Sequence, residues 1–314
     1  MKKTIKYSFI AFLFFVISTI SIKLIIPYDP IIIGNPELND IAYVDDSRNS
    51  HIIFSDAQGN NKSSLDVIIP VPMNVSSSGK ELSRIKNFVF NNISDVYWEI
   101  DGDALGFLFS TYYPNVRFPA LLTEEGTIYV CINDSILNTN YSYPIQVYDD
   151  KRIIINMGNY PDNSLILYNM KECKNESVFY DGNGEQVFAV SSKGWLAINE
   201  EIDNEMMLNV YDNNRNLVFS DNQIDYYDFL AWSKDGNKLI YRVYKHKKED
   251  YLYMHDFVTN ESKKVAEDII FKTSFSPDGN KIVMEKIGKE IVILDLITLQ
   301  ETNIAKGSNP DWRP

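Results

Sequence analysis

The sequence predicts an all-β protein: a six-bladed β-propeller, closed by the C-terminal strand pairing into the first blade and preceded by one N-terminal transmembrane or signal helix. Three observations support this fold class. A turn signature of the type Ser-x-Asp-Gly recurs along the chain, and its last two glycines, Gly236 and Gly279, are 43 residues apart. Short apolar strands follow each copy. The chain also ends on residues that resemble the beginning of one more copy.

The clearest copy of the turn signature is Phe275–Gly279, FSPDG. Pro277 favours the second position of a type I turn, Asp278 can accept hydrogen bonds from the backbone, and Gly279 tolerates the left-handed conformation that closes a bulged hairpin. The apolar residues before this turn and the segment KIVMEK after it are therefore predicted to be two antiparallel strands.

Four further copies divide the chain into units of about 40 to 45 residues, the length of one four-stranded blade. They are Trp232–Gly236 (WSKDG), Val190–Gly194 (VSSKG), Val147–Lys151 (VYDDK) and Trp98–Gly102 (WEIDG). The copy at Val147 lacks the glycine but precedes the apolar strand RIIIN. Blades are therefore predicted to begin near residues 40, 102, 150, 194, 236 and 279.

The C-terminal end of the predicted propeller supplies the strand that its first blade lacks. The segment Asn309–Pro314 (NPDWRP) places Trp312 where Trp232 stands in its own copy, and no blade follows it. The segment IAYV, which begins at residue 41, looks like a blade that lacks its first strand. Joining the two leaves no open sheet edge in the ring. The first unit is longer than the others and carries an insertion at Pro70–Lys86.

The segments FSPDGNKIVM, WSKDGNKLIY and NPDWRP resemble the TolB-type propeller repeat, in which W-S-P-D-G precedes a strand. The G-H and W-D pairs of WD repeats are missing, so the blades are WD-repeat-like only in general form. The resemblance extends over most of residues 39–314 and is sharpest in the last third of the chain. It implies a six-bladed propeller. TolB carries an additional amino-terminal α/β domain, for which this chain has no room.

The first part of the chain is of a different kind. A basic segment, 1–7, precedes the apolar segment 8–26, which is 19 residues long and therefore long enough to span a bilayer. The positive-inside rule keeps residues 1–7 in the cytoplasm and places the propeller outside it, in the periplasm or the extracellular space. We expect an uncleaved membrane anchor; a cleaved signal sequence would instead give a secreted protein. Residues 27–38 are predicted to be a linker, and residues 39–314 the propeller.

Charge and cysteine content narrow the possible functions. The net charge is −13 and no basic stripe is present, which argues against a nucleic-acid partner. The two cysteines, Cys131 and Cys173, fall in different predicted blades. We therefore expect two free or buried thiols and no disulfide framework.

No arrangement of residues predicts catalysis. The chain has no G-x-S-x-G elbow, and its three histidines, His51, His246 and His255, occupy unrelated positions without zinc-ligand spacing. Asp101 and Asp103 resemble a fragment of a calcium-binding loop, but turn formation explains them better. We expect no cofactor and no local metal site. A Ca²⁺ ion in the central channel, bound by single residues from several blades, stays open at this stage.

The turn copies themselves are predicted to be structural. Their aspartates and glycines shape the turns, and their aromatic residues pack between neighbouring blades. The residues assigned to this role are Trp98, Asp101, Gly102, Gly194, Trp232, Asp235, Gly236, Phe275, Pro277, Asp278, Gly279 and Trp312.

Candidate binding residues lie on the side opposite these turns. In a propeller, the loops between second and third strands emerge together with the connections between blades; we call this side the loop face and the other the turn face. The loop face gathers tyrosines and acidic residues, which are typical of binding surfaces on rigid scaffolds. The candidates are Tyr112, Tyr113 and Arg117 in the loop TYYPNVRFPALLTEEG, Tyr141, Tyr143, Tyr160, Asp162, Glu201 beside Glu200, Asp225, Tyr226 and Tyr227. Alternatively, some of these rings pack beneath the long loops.

These observations favour a non-catalytic, membrane-anchored binding or scaffold module that presents its Tyr- and acid-rich face to a protein, a peptide or a cell-envelope glycan. The alternative is an enzyme that uses the central channel, such as a metal-dependent lactonase or a polysaccharide-processing enzyme. Because a fold by itself does not determine function, the missing catalytic constellation decides in favour of the binding module.

Overall fold

The computed structural model describes residues 31–33, 40–45, 51–68, 92–99, 102–110, 117–123, 128–130, 146–159, 162–183, 187–203, 205–222, 226–245, 249–267 and 269–314. The predicted cytoplasmic segment 1–7, the apolar segment 8–26 and the insertion 70–86 lie outside these ranges, as do the marker Asp101 and His246. Across the described ranges, no helix has the length and hydropathy needed to cross a bilayer.

The described strands form six antiparallel sheets, which confirms the prediction of an all-β, six-bladed propeller. Blade 1 contains β1 (Ile31–Ile33), β2 (Ile41–Val44), β3 (Ile52–Ser55), β4 (Ser63–Ile68) and β25 (Ser308–Trp312); blade 2 contains β5 (Asn92–Trp98), β6 (Ala104–Ser110), β7 (Arg117–Thr123) and β8 (Ile128–Val130). Blade 3 contains β9 (Gln146–Val147), β10 (Arg152–Asn159), β11 (Asp162–Asn169) and β12 (Lys174–Asn183); blade 4 contains β13 (Phe188–Val190), β14 (Leu196–Ile202), β15 (Glu205–Tyr211) and β16 (Leu217–Asp221). Blade 5 contains β17 (Tyr226–Trp232), β18 (Lys238–Lys245), β19 (Glu249–Asp256) and β20 (Glu261–Glu267); blade 6 contains β21 (Ile269–Phe275), β22 (Lys281–Lys286), β23 (Glu290–Asp295) and β24 (Glu301–Lys306).

The turn between β21 and β22 is held by one serine and one aspartate. The Ser276 hydroxyl donates to Asp278 Oδ1 over 2.6 Å and accepts from the Lys281 amide over 3.0 Å. The hydrogen bond from Ser276, together with that from the Asn280 amide, lowers the pKa of Asp278. Gly279 has φ +65°, in the left-handed region that a side chain disfavours.

The turn between β17 and β18 has the same hydrogen bonds. Ser233 donates to Asp235 Oδ1 over 2.6 Å, and the Lys238 amide donates to Ser233 Oγ over 2.9 Å. Gly236 adopts φ +63°. The repeated sequence pattern therefore corresponds to a repeated local structure.

The hydrophobic core lies between the blades, because both faces of each inner strand are covered. In β22, Ile282 and Met284 pack against residues of blade 5. Val283, between them in sequence, packs with Ile41 and Trp312 of blade 1. Alternate residues of one strand thus join the two neighbouring blades, as the period of two in a strand requires.

The last strand of the chain pairs with the first strand of the propeller sequence. Strand β25 is antiparallel to β2, with Ile41 opposite Trp312 and Val44 opposite Ser308. The Trp312 amide also donates to Ser274 Oγ in blade 6 over 2.6 Å. Blade 1 is therefore built from strands at both ends of the described chain.

Blade 1 has a fifth strand. Residues Ile31–Ile33, within the segment predicted to be a linker, form β1 and pair antiparallel with β4 on the outer edge of the sheet. The run of three β-branched residues explains why this segment forms a strand.

Blade 2 differs from its predicted strand order. The loop predicted around Arg117 contains strand β7, and the segment TIYV, predicted to be the third strand, forms the outermost strand β8. Pro119 lies within β7 although proline lacks the N–H needed for sheet pairing. The buried residues Ala120, Leu121 and Leu122 nevertheless place this segment in the sheet.

The expectation of free thiols was wrong for Cys173, which is in a disulfide bond. Cys173 packs against a cluster that joins Leu121 of blade 2 to Ile153 of blade 3. The other cysteine of the chain, Cys131, lies outside the described residues. Distance along the sequence was misleading here, because successive blades of a propeller are neighbours in space.

Deletion of Asn309–Pro314 should strongly lower the temperature of thermal unfolding. The deletion removes most of β25, including the buried Trp312, and loss of a buried tryptophan side chain alone costs about 3 to 5 kcal/mol. Calorimetry of the full chain and of the truncated chain measures the difference.

A chain that lacks Pro314 alone is the control, since strand β25 ends at Trp312. Unchanged thermal unfolding of the longer truncation would show that β25 is dispensable.

Candidate functional site

The predicted binding residues fall into three groups. Tyr112, Tyr113, Tyr141, Tyr143, Tyr160 and Asp225 lie outside the described residues. Arg117, Asp162, Tyr226 and Tyr227 lie in strands where loops were predicted: Arg117 begins β7, Asp162 begins β11, and the two tyrosines begin β17. All three strands begin at the loop face. Glu201 is exposed in β14.

The neighbouring residue, Glu200, is buried at the interface between blades 3 and 4, with an exposed fraction of 8%. Its carboxylate accepts a hydrogen bond from the Tyr180 hydroxyl, which belongs to β12 of blade 3. It also accepts from the Tyr211 hydroxyl over 2.6 Å and from Asn209 Nδ2 over 2.8 Å, both in β15. The sequence analysis placed Glu200 in an exposed loop; the structure places it in a strand, with three hydrogen-bond donors.

Burial and hydrogen bonding to Glu200 raise the pKa values of the two tyrosine hydroxyls. Burial and the hydrogen bond to Glu200 raise the pKa of Tyr211 to about 12, and the same causes raise that of Tyr180. Both hydroxyls therefore stay protonated as donors at neutral pH. Because Tyr180 and Glu200 belong to different blades, this cluster fixes the relative position of blades 3 and 4 close to the loop face.

Aspartates on the turn face hold a second set of turns, between the third and fourth strands. Asp56 Oδ1 accepts from the Gln58 and Asn60 amides over 3.0 and 2.8 Å. The equivalent residues Asp212, Asp256 and Asp295 likewise accept hydrogen bonds from backbone N–H groups two to four residues later in the sequence. The recurring aspartate at the end of the third strand is the sequence signal that would have predicted these turns.

An ion pair joins inner strands of three blades. Lys272 Nζ lies 2.6 Å from Asp311 Oδ2 and also donates to the Val96 carbonyl. The same ammonium lies 3.8 Å from the centroid of the Tyr97 ring. Asp311 in addition accepts from the Trp98 amide over 2.9 Å. Lys272, in the irregular part of the pairing of β21 with β22, thus connects blade 6 to blades 1 and 2.

A buried imidazole lies between blades 4 and 5. His255 is 2% exposed, and its ring centroid lies 4.1 Å from that of Phe219 and 4.5 Å from that of Phe257. Nδ1 is 2.8 Å from Ser262 Oγ, while Nε2 has no hydrogen-bond partner among the described residues. Burial lowers the pKa of His255, against the opposing charges of Asp256 and Asp221.

In the part of the chain that the structure describes, no three His, Cys, Asp or Glu side chains come together in a way that could hold an ion. The predicted binding residues belong to the loop face, whose described residues include the Glu200 cluster and the exposed Glu201.

Known structures share the fold. TolB from Acinetobacter baumannii superposes with a TM-score of 0.64 at 14% sequence identity, over 87% of this chain and 66% of that chain. A putative TolB from Agrobacterium tumefaciens gives 0.52 at 10% identity, over 71% of this chain and 91% of that one. A chain of the nidogen/laminin complex gives 0.56 at 8% identity, over 88% and 98%.

No protein-family profile matches the sequence, and no curated protein matches it. At these identities the structural likenesses establish the fold, and they confirm the predicted resemblance to TolB-type propellers at that level. The chain spans slightly less than two-thirds of the length of the Acinetobacter TolB.

Tyr180→Phe and Tyr211→Phe are two single variants. Each should lower the free energy of unfolding by about 1 to 3 kcal/mol, because the buried Glu200 carboxylate loses a hydrogen-bond donor. The double variant should deviate from the sum, since both hydroxyls contact one carboxylate. Denaturant unfolding measures all three variants.

Glu201→Gln is the matched control and should stay within about 0.5 kcal/mol of the original protein, because this side chain is exposed. Equal effects of the control and of the tyrosine variants would contradict the role assigned to the cluster.

Stability should fall as the pH falls below the ordinary histidine pKa of 6.5. The folded protein, in which the pKa of His255 is lowered, binds fewer protons there than the unfolded chain, so protonation favours unfolding. Urea unfolding measured between about pH 8 and pH 5 should show this loss, and His255→Gln should reduce the pH dependence. An identical dependence in both proteins would mean that other groups cause it.

Proposed function

We propose that this protein is a non-catalytic binding module, held outside the cytoplasm by its N-terminal apolar segment, that uses its loop face to bind a protein or peptide. A cell-envelope glycan is the less favoured ligand. The pairing of β25 with β2 is proposed to close the ring and so to give this face a rigid base.

The observation that carries the proposal is the uneven length of the connections on the two faces. On the turn face, every connection between consecutive strands has four to seven residues. On the loop face, the connections range from one residue, between β24 and β25, to 23 residues, between β4 and β5. Loops of varied length on a rigid scaffold are where binding function is usually placed.

The chemistry of the turn face supports the same assignment. The carboxylates of Asp56, Asp212, Asp256 and Asp295 accept hydrogen bonds from their own turns. Polar groups used in this way stabilise local structure and have less capacity to bind a ligand. On the loop face, acidic side chains such as Glu201 are exposed.

The proposed location has support from two sources. Residues 8–26 are apolar and preceded by lysines, which favours export or anchoring. The disulfide at Cys173 also favours an oxidising compartment outside the cytoplasm.

A protein partner is favoured over other classes. A propeller of the same fold occurs in the structure of a nidogen/laminin complex. Tyrosines, which are abundant among the loop-face candidates, are enriched where proteins bind one another. The channel enzyme, by comparison, has no observation in its favour among the described residues.

The triple variant Tyr112→Ala, Tyr113→Ala and Tyr226→Ala should abolish capture of the partner and leave the thermal unfolding temperature nearly unchanged. Crosslinking of the full chain in intact envelopes, followed by affinity purification, measures capture, and calorimetry measures stability. A large loss of stability would show instead that these rings belong to the core.

The matched control replaces Val258 and Ile297 by Ala on the turn face, where they are 72% and 76% exposed. Capture should persist in this variant. Loss of capture in the control but not in the tyrosine variant would move the binding site to the turn face.

A further inference from the structure

The position of β1 shows at which face of the propeller the N-terminal part of the chain enters blade 1. Strand β1 pairs with β4, with Ile31 opposite Ile68 and Ile33 opposite Asp66. Strand β4 begins at Ser63, after a turn on the turn face, and ends at Ile68 on the loop face. Because the pairing is antiparallel, Ile31 lies at the loop-face end of the outer edge of blade 1.

The chain before Ile31 is short. Only residues 27–30 separate it from the end of the predicted membrane segment at Ile26. A fully extended chain from Ile26 to Ile31 spans at most about 17 Å. The turn face is farther away, because the six residues of β4 add about 20 Å of strand length.

We propose that β1 orients the propeller with its loop face toward the membrane, and that the partner of this face is the extracytoplasmic part of a membrane protein. This inference rests on the proposed function, since it requires the N-terminal segment to be an anchor. A soluble partner would meet the turn face first.

The charge of the loop face favours a protein over the lipid surface as the binding partner. The described loop-face residues Lys289 and Lys306 of blade 6 are exposed cations, whereas Glu201, Asp203 and Glu205 form an exposed acidic surface on blade 4. Anionic headgroups repel such a surface, whereas a segment rich in Lys and Arg is attracted to it. The partner segment is therefore expected to be basic.

Two exposed isoleucines of blade 6 provide a matched pair of probes. Ile287, 66% exposed, lies between β22 and β23 on the loop face, and Ile297, 76% exposed, follows β23 on the turn face. The full chain with Ile287→Cys or Ile297→Cys is labelled with a fluorophore and reconstituted into liposomes that contain a headgroup-linked quencher. We expect several-fold stronger quenching at position 287.

A control variant carries a ten-residue Gly-Ser insertion between Pro30 and Ile31, which keeps β1 but lengthens the tether to about 50 Å when extended. The difference between the two positions should then shrink. Equal quenching without the insertion would overturn the proposed orientation and leave the binding module intact. Failure of the full chain to float with liposomes would overturn the membrane anchor, and the orientation with it.

A photo-crosslinker in intact cells tests the partner. It is placed either at Ile202, which is 42% exposed beside Glu201 and Asp203 on the loop face, or at Ile297 on the turn face. From position 202, mass spectrometry should identify adducts with a Lys- and Arg-rich extracytoplasmic segment of a membrane protein, and position 297 should not form them. Adducts with lipid alone, or the same soluble protein from both positions, would overturn the partner class.

Discussion

The Asp311 carboxylate connects three blades at one point. It accepts the Trp98 amide of blade 2 and the Lys272 ammonium of blade 6, while its own strand, β25, belongs to blade 1. Removing one partner of such a nearly buried ion pair leaves an uncompensated charge, which is costly in a low-dielectric interior. Together with the packing of Val283 against Trp312, this carboxylate therefore holds the inner strands of the three blades in place, and the faces built on these blades depend on that placement.

The parts of the fold that the sequence predicted are those that local chemistry determines. Within five residues, Ser276, Asp278 and Gly279 supply the hydroxyl, the carboxylate and the left-handed conformation that make one turn. The second full copy, Ser233, Asp235 and Gly236, makes the same turn in blade 5. The number of blades and their boundaries follow from counting such copies, so the architecture was accessible without knowledge of the packing.

The parts that the sequence did not predict are set by residues from another blade. Glu200 resembled an exposed loop residue, and its burial is explained by three donors, one of which is the Tyr180 hydroxyl of blade 3. The segment around Arg117 resembled a loop, yet it forms β7 between β6 and β8. Cys173 was assigned a free thiol because sequence separation does not reveal which blades touch. The same holds for the predicted binding residues, since the exposure of a tyrosine depends on packing partners that lie far away in the sequence.

The longest connections on the loop face lie on one side of the ring. The longest ones, residues 69–91 and 131–145, lead into and out of blade 2, whereas the loop-face connections within and between blades 4, 5 and 6 have at most four residues. Blade 2 is next to blade 1, where β1 brings the chain in from the predicted anchor. Long loops add surface without disturbing the sheets that support them, because the cost of lengthening a loop rises only slowly. The added chain length is therefore concentrated beside the blade that β1 joins, so the loop face is not equivalent around the ring.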